Sequence, residues 1–354
     1  MLLPRRVTLC SYRLGGTDGV SVEAEKWRRA LRSLGCSVTT VAGAGVADRI
    51  VPGLAADALE PPDTLAVARA LEDADLVVVE NLCSLPLNPS AGACVASLLA
   101  GRPAVLHHHD LATQRPSLAH FGAPPDWPGA LHVTINQLSF RELAAWGIAS
   151  TVIHNTFEPD PAPGRRATAR RVLGVEDNEL LVLQPTRAIP RKNVPGALAL
   201  CESLGATYWL LGPAEDGYGP ELSRILARAS VRVLRGWPEN AEGFDVTDAY
   251  AACDVVALPS TWEGFGNPAI ESATRDRPLA IGRYPVASEL RAFGFEWFDA
   301  DAPDALAAWC ADRDPALVEH NHELARRHFS SSDLPRRLER LLSGTGVPDT
   351  MHPL

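Results

Sequence analysis

Short apolar runs alternate along the chain with longer stretches in which apolar positions recur every three to four residues. The short runs, such as residues 7–11 and 255–258, are typical of strands buried on both faces of a parallel sheet. The longer stretches, such as residues 22–34, have the spacing of helices with one buried face. The alternation of the two patterns predicts a doubly wound α/β fold with parallel sheets.

The elements fall into two sets. Strands are predicted in the N-terminal half at 7–11, 38–41, 75–80, 103–107, 131–136 and 151–154. Those of the C-terminal half are predicted at 180–184, 208–211, 231–234, 255–258 and 279–281, with an edge strand at 296–298. Helices are predicted at 22–34, 65–71, 93–100, 139–146, 195–204, 219–229, 245–252, 268–275, 285–293, 304–312, 315–328 and 334–342.

The alternation breaks once, where Pro159, Pro161 and Pro163 precede Gly164. Prolines and glycine in such density are typical of a linker. A chain of 354 residues also exceeds what one core usually supports. We therefore predict two Rossmann-like domains facing a cleft, at 1–158 and 173–314, joined by a linker at 159–172 and followed by C-terminal helices at 315–354 that cross back to the first domain.

Composition narrows the class of protein. The chain is 46% apolar and 21% charged, and its net charge of −10 argues against nucleic acid as a partner. No run approaches the roughly 18 apolar residues of a membrane span, and the N-terminal half has no excess of basic residues, so peripheral membrane contact is not favoured. Seven scattered cysteines without a CxxC pair indicate a reduced, cytoplasmic protein.

Lysine is nearly absent from the chain. Of 33 basic residues only Lys26 and Lys192 are lysine. An ammonium group is a compact point charge suited to phosphate, so a lysine retained against this bias is a candidate phosphate contact.

Polar residues follow four predicted strands at the edge where α/β folds bind ligands. The turn after residues 255–258 holds two carboxylates and two glycines before a helix, with Asn267 as the predicted N-cap. An ordinary capped βα turn has the same local pattern, and the joint placement of four such groups favours a ligand site. The groups are Gly15 and Gly16; His109 and Asp110; Arg187 and Lys192; and Glu263 with Glu271.

These residues resemble those of the family 4 retaining glycosyltransferases of the GT-B class. Glu263 and Glu271 match the Glu-x7-Glu motif of that family, and Arg187 and Lys192 match its pair of cations five residues apart. The resemblance spans about residues 7–300. Asn193 stands where many relatives have glycine, and the 111–128 loop matches no pattern of the family.

The resemblance implies a nucleotide-sugar donor bound mainly by the C-terminal domain, and an unidentified acceptor bound mainly by the N-terminal domain. The donor is a UDP-sugar or a GDP-sugar, and UDP is favoured as the commoner of the two. It implies no metal and no cofactor. Arg187 and Lys192 would neutralise the diphosphate, Glu271 would bind the ribose and Glu263 the transferred sugar. The resemblance also implies His109 at the sugar, Gly16 at the diphosphate, the base near Gly236, and the backbone of Phe265, Gly266 and Asn267 along the sugar. The candidate catalytic residues are His109, Asp110, Arg187, Lys192 and Glu263, and Gly15 and Gly264 are further candidate donor contacts.

Other functions fit parts of the pattern. Gly264, Gly266 and Ala269 form the GxGxxA dinucleotide fingerprint of an NAD(P)-dependent oxidoreductase, but the next predicted strand ends in Gly282 and Arg283 rather than an acidic residue. A nucleotide-sugar epimerase, a non-catalytic sugar-nucleotide-binding module, and a metal site at His107, His109 and Asp110 are the further alternatives.

Overall fold

The computed structural model describes residues 3–344, which form two compact units. Residues 3–156 with 331–344 make the first unit and residues 157–330 the second. Each unit has its own parallel sheet and its own core, so the predicted fold class, two doubly wound α/β units, is confirmed.

The first unit contains a seven-stranded parallel sheet in the order β3-β2-β1-β4-β5-β6-β7. Its strands are β1 (Arg6–Leu14), β2 (Ser37–Gly45), β3 (Arg49–Ile50), β4 (Leu76–Glu80), β5 (Ala104–His108), β6 (Ala130–Thr134) and β7 (Ser150–Val152). Its helices are α1 (Gly19–Ser33), α2 (Thr64–Leu71), α3 (Pro89–Leu99), α4 (Gln137–Ala145) and α13 (Leu334–Ser343). The sequence pattern missed β3, which has two exposed residues and no apolar run.

Strand side chains alternate between the two faces of this sheet, as a period of two requires. Val7 and Leu9 face α1 and α13, while Cys10 and Val41 face α2 and α3. The second cluster continues into Val67 of α2. Two covered faces explain the nearly unbroken apolar runs of the strands.

The second unit contains a six-stranded parallel sheet in the order β10-β9-β8-β11-β12-β13. Its strands are β8 (Leu181–Gln184), β9 (Thr207–Leu210), β10 (Val233–Arg235), β11 (Val255–Leu258), β12 (Leu279–Ile281) and β13 (Phe298–Asp299). Its helices are α5 (Arg166–Leu173), α6 (Val194–Leu204), α7 (Gly219–Leu226), α8 (Val246–Ala252), α9 (Asn267–Ala273), α10 (Pro285–Arg291), α11 (Asp304–Ala311) and α12 (Pro315–Phe329).

Two stretches differ from the expected domain boundaries. The expected linker at 159–172 is helix from residue 166 onward, because the buried Arg170 of α5 bonds to Asp254 at 3.2 Å and to the carbonyl oxygen of Ala252 at 2.9 Å. The expected C-terminal helices divide after Ser330, with α12 in the second unit and α13 in the first. Residues 345–354 of that expected region lie outside the described residues.

Within residues 3–344, no helix has both the length and the apolar character needed to cross a lipid bilayer.

Candidate functional site

The turn between β11 and α9 carries the glycine on which its shape depends. Gly266 has φ +88°, and a Cβ there would overlap the hydroxyl of Tyr284, so a side chain is excluded on both grounds. The left-handed Gly266 is the N-cap of α9, and Asn267, predicted as the N-cap, is the first residue of the helix. Phe265 is buried against Phe157 and Phe329, with ring centroids 6.1 and 6.0 Å away. The ring of Phe265 is therefore part of the packing of this unit.

Glu263 lies in this turn, and the side chain is buried between two cations. Its Oε1 pairs with Lys192 Nζ, and its Oε2 lies 2.8 Å from Arg191 Nη1. Burial alone would raise the pKa of Glu263, but the charges of Lys192 and Arg191 outweigh it and hold that pKa below its ordinary value. Burial, with the like charges of Arg191 and Arg187, lowers the pKa of Lys192. The turn therefore holds an ionised carboxylate and two cations in one cluster.

The backbone around Lys192 is fixed by buried polar groups. The Lys192 carbonyl accepts from Gln184 Nε2 at 2.9 Å, and Gln184 Oε1 accepts from the Tyr208 hydroxyl at 2.6 Å. Asn193 follows in the left-handed region at φ +52°, caps α6 by accepting from Gly196 N at 3.1 Å, and donates to the Pro259 carbonyl at 3.1 Å. An asparagine tolerates this left-handed conformation better than most residues other than glycine.

Arg187 does not join the Glu263 cluster. Its Nη1 pairs with Glu215 Oε2 at 2.6 Å, and the Arg187 side chain is about one-third exposed, at 32%. The sequence placed Arg187 and Lys192 together as one pair of phosphate cations. The structure gives each a different carboxylate partner, and Glu215 had no sequence signal to mark it.

Glu271 lies on α9, and a buried tyrosine orients the carboxylate. The hydroxyl of Tyr250 donates to Glu271 Oε2 at 2.6 Å. Burial, and then the charge of Glu271, raises the pKa of Tyr250 well above its ordinary value, so the phenol remains a donor. Tyr250 lies on α8, 21 residues before Glu271, so no local pattern could have marked it.

Gly236 directly follows β10, with φ +58°. Its carbonyl accepts from Trp209 Nε1 at 2.8 Å, and the ring of Trp237 stands edge-on to Trp209 at 4.8 Å. An aromatic wall thus adjoins the loop predicted to hold the base.

The first loop of the N-terminal unit is the other glycine turn. Gly15 has φ +74°, and a Cβ there would lie 2.7 Å from Val46 Cβ. Asp18 then caps α1 by accepting from Ser21 N at 3.1 Å. Gly15 and Gly16 line a cavity of about 540 Å³ together with Lys26. The loop therefore has open space beside it.

His109 follows β5, and a buried carboxylate binds its ring. Glu80 Oε2 lies 2.8 Å from His109 Nε2 and 2.8 Å from His107 Nδ1. Glu80 is fully buried, and although burial opposes ionisation, the two imidazoles lower its pKa to about 2. Glu80 ends β4, so the rule that polar residues at strand ends form sites could have found it.

Asp110 lies apart from the Glu80 carboxylate. It pairs with Arg115 at 3.0 Å, and its backbone N–H donates to Asn81 Oδ1 at 3.0 Å. Asn81 has φ +61° and also accepts from the backbone N–H of His109 at 3.1 Å, so one buried amide holds the whole turn. The metal alternative included Asp110. Among residues 3–344, the three side chains close enough together to bind an ion are Glu80, His107 and His109.

A hydrogen-bonded cluster fits the geometry of that group better than a metal. Two ligands of one zinc ion, each at about 2.0–2.1 Å in tetrahedral geometry, are about 3.3 Å apart. Both Glu80–imidazole separations are 2.8 Å, which is the length of a charge-assisted N–H···O bond.

The chain resembles proteins of known activity over almost its whole length. No family model matches it. It is 26% identical to the mannosylglucosylglycerate synthase of Thermotoga maritima, over 97% of this chain and 100% of that enzyme. The synthase of the same name from Petrotoga mobilis is 26% identical over 82% of this chain and 85% of the relative. The crystal structure of Anabaena HepE with UDP-glucose matches with a TM-score of 0.72 and 19% identity, covering 96% of this chain and 99% of that one.

Proposed function

We propose that this chain, which is a glycosyltransferase with the GT-B fold, is a retaining member of family 4 that transfers a hexose from a UDP-sugar to an acceptor hydroxyl. The observation that carries the proposal is the pair of carboxylates eight residues apart, with Glu263 held by Lys192 and Arg191, and Glu271 held by Tyr250. Cations around one carboxylate and an oriented second carboxylate suit a diphosphate and a ribose.

In this proposal the leaving UDP is stabilised by the Lys192 cluster. As the bond from the anomeric carbon to the phosphate oxygen breaks, negative charge grows on the diphosphate and positive charge on the sugar. One preorganised donor at that charge contributes about 10²–10³ in rate. Since both oxygens of Glu263 accept from Lys192 and Arg191, its first role is to hold those cations in place. Arg187 reaches the diphosphate on leaving Glu215.

The acceptor oxygen forms its bond to the anomeric carbon on the face that the leaving group vacates, and its proton passes to the leaving phosphate oxygen. Configuration at the sugar is then retained without an enzyme nucleophile. The Glu271 carboxylate accepts from the ribose hydroxyls, Gly236 lies at the base, and His109 binds a hydroxyl of the transferred sugar. The proposal needs neither a metal nor a cofactor.

UDP is proposed as the nucleotide because HepE, which has a matching fold, was crystallised with UDP-glucose. Glycerate glycosides are the first proposed acceptors, because two relatives are named as mannosylglucosylglycerate synthases. A cytoplasmic location is proposed because all seven cysteines are free thiols.

The test is turnover by the purified full chain. UDP- and GDP-linked glucose, galactose and mannose are offered with glycerate, glucosylglycerate and simple alcohols, and nucleotide release is measured with the anomeric configuration of the product by NMR. We expect UDP release with an α-linked product from an α-linked donor, at a rate unchanged by EDTA.

Other outcomes identify the alternatives. An inverted product contradicts retention, and loss of activity in EDTA contradicts metal independence. Conversion of the donor to its epimer without an acceptor identifies an epimerase. Thermal stabilisation by UDP, about 2.7 kcal/mol at hundredfold excess over the Kd, without any turnover identifies a binding module.

A further inference from the structure

A single carboxylate oxygen receives two imidazole rings in the N-terminal unit. Glu80 Oε2 accepts from His107 Nδ1 and from His109 Nε2, each at 2.8 Å. Glu80 and His107 are register partners on the neighbouring parallel strands β4 and β5, and His109 is two residues further on, so that its side chain returns to the same side. Strand pairing therefore places Glu80 beside His107. His109 follows the strand, and the hydrogen bond from its backbone N–H to Asn81 Oδ1 positions it.

The Glu80 carboxylate determines which ring nitrogen of His107 and of His109 carries a proton. An ionised carboxylate can only accept, so the two nitrogens that meet Glu80 both carry hydrogen. A neutral imidazole has one N–H, and its other nitrogen is then an acceptor. For His107 that other nitrogen, Nε2, is buried without a hydrogen-bond partner in the described structure, and the ring stacks on Trp27 at 4.2 Å. Burial lowers the pKa of His107, so this ring is neutral and its role is structural.

His109 differs from His107 in what its second nitrogen can do. The His109 side chain keeps 5% exposure, and its Nδ1 has no hydrogen-bond partner among residues 3–344. The backbone of His109 is held by Asn81 Oδ1 at 3.1 Å, which fixes the position of the ring from the other end. With Nε2–H committed to Glu80, only Nδ1 can meet a ligand.

We infer that Glu80 is a positioning residue, which holds His109 as the Nε2–H tautomer and so makes Nδ1 an acceptor for a hydroxyl of the transferred sugar. The inference rests on the proposed function for the identity of the ligand, since His109 is the sugar contact there. It adds that His109 accepts a hydrogen bond rather than donating one. A sugar hydroxyl is a ligand of this kind, whereas a fluorine at the same carbon cannot donate.

The tautomer can be measured directly. Long-range ¹H–¹⁵N correlation of the imidazoles in the full chain, with signals assigned by His109→Gln, separates Nε2–H from Nδ1–H. We expect the pure Nε2–H pattern for His109 in the parent protein. In Glu80→Gln the amide offers one neutral acceptor oxygen and an NH₂ group that cannot accept, so the His109 pattern should become a mixture of both tautomers.

A matched control comes from a second histidine pair in the same unit. His108 bonds to His132 at 2.9 Å and His132 to Asp126 at 3.1 Å, without contact to Glu80. Asp126→Asn should therefore alter the signals of His132 and leave those of His109 unchanged. A parent His109 in the Nδ1–H form, or an unchanged pattern in Glu80→Gln, would overturn the inference.

Kinetics test that Glu80 acts through His109. Glu80→Gln should lower kcat about 10- to 100-fold, since misplacing a positioned group has effects of that size, with the Kd for UDP unchanged. In a His109→Ala background the same change should cost less than about twofold, because its target is gone. An equal cost in both backgrounds would contradict a role through His109.

The two proposals fail separately. If the parent protein transfers no sugar, the proposed function fails, while the NMR experiment still decides the tautomer. If the parent protein is active and the His109 pattern ignores Glu80, only the present inference fails. If Glu80→Gln does not fold, two tests remain. One is the tautomer of His109 in the parent protein. The other is the shorter Glu80→Asp variant, in which His109 should keep the Nε2–H form.

Discussion

At the scale of single residues, the site depends on which carboxylate each cation meets. Lys192 and Arg191 share Glu263, whereas Arg187 pairs with Glu215. The Lys192 side chain is 9% exposed, whereas the Arg191 side chain is 24% exposed. A buried ammonium beside a diphosphate interacts more strongly than a solvated guanidinium, because the local dielectric is lower. We therefore expect Lys192, rather than Arg191, to be the main phosphate contact.

We expect Lys192→Ala to raise the Kd for UDP about 10- to 100-fold, the effect of losing one hydrogen bond to a charged group. Arg191→Ala is the matched control, because it removes the other cation of Glu263 and should raise that Kd less. Isothermal titration with UDP and with uridine separates phosphate binding from general damage, and uridine affinity should be similar in both variants. Equal losses of UDP affinity in the two variants would contradict the ranking.

At the scale of elements, one asparagine connects the loop of Lys192 to the turn of Glu263. Asn193 caps α6 and donates to Pro259, the residue that follows β11. The hydrogen bond from Asn193 to Pro259 thereby ties the loop that carries Lys192 to the turn that carries Glu263. Asparagine adopts the left-handed backbone, caps α6 and donates a hydrogen bond to Pro259. Glycine would supply only the backbone conformation.

Three substitutions at Asn193 separate these contributions. Asp keeps the cap and tolerates the backbone, Gly keeps only the backbone, and Ala keeps neither. A left-handed Ala costs about 1–2 kcal/mol and a lost cap about 1 kcal/mol. Asn193→Ala should therefore lower the free energy of unfolding by about 2–3 kcal/mol, with Asn193→Gly intermediate and Asn193→Asp closest to the parent. Urea denaturation gives the order, and equal values for Ala and Gly would mean that the backbone is not strained.

At the scale of the whole molecule, the N-terminal sheet contains titratable groups at its centre. A chain of hydrogen bonds runs from the buried Ser84, which follows β4, through His108 on β5 and His132 on β6 to the exposed Asp126. Burial, and then the nearby histidines, lowers the pKa of His108 well below its ordinary value. Burial also lowers the pKa of His132, against the opposing effect of Asp126. Both rings are neutral in the folded protein at neutral pH.

Stability should therefore fall on acidification. The pKa values of His108 and His132 are lower in the folded protein than in the unfolded chain, so the unfolded chain binds protons first as the pH falls. The stability that these groups contribute is complete above about pH 6.5. It is lost as the pH falls towards their folded-state pKa values. His108 alone contributes about 1.4 kcal/mol per pH unit in that window. The free energy of unfolding, measured with denaturant between pH 7.5 and pH 5, should fall over about two pH units below neutrality.

The slope can be assigned to its group. His108→Gln should flatten the decline by about one proton equivalent, whatever its effect on stability at neutral pH. The exposed His120→Gln controls for the loss of an imidazole as such. An unchanged slope in His108→Gln would show that the decline has another source.

Much of this protein follows from local sequence patterns. Apolar periodicity identified most of the strands, and the polar residues that follow them gave Lys192, Glu263, Glu271 and His109 as candidate site residues. These features are local, since a strand or a helix start depends on neighbours a few residues away. For the same reason the two-residue strand β3 and the helix α5, which depends on Asp254, were not found from pattern alone.

Only the tertiary structure determined which residues pair with the candidate site residues. Lys192 meets Glu263 across 71 residues, His109 meets Glu80 across 29, and Glu271 meets Tyr250 across 21. Each pairing follows from the order of strands in a sheet or from a helix that packs beside it, and no short-range periodicity encodes that order. The sequence by itself determined which polar residues follow the strands, and the fold determined which of those residues share hydrogen bonds and ion pairs.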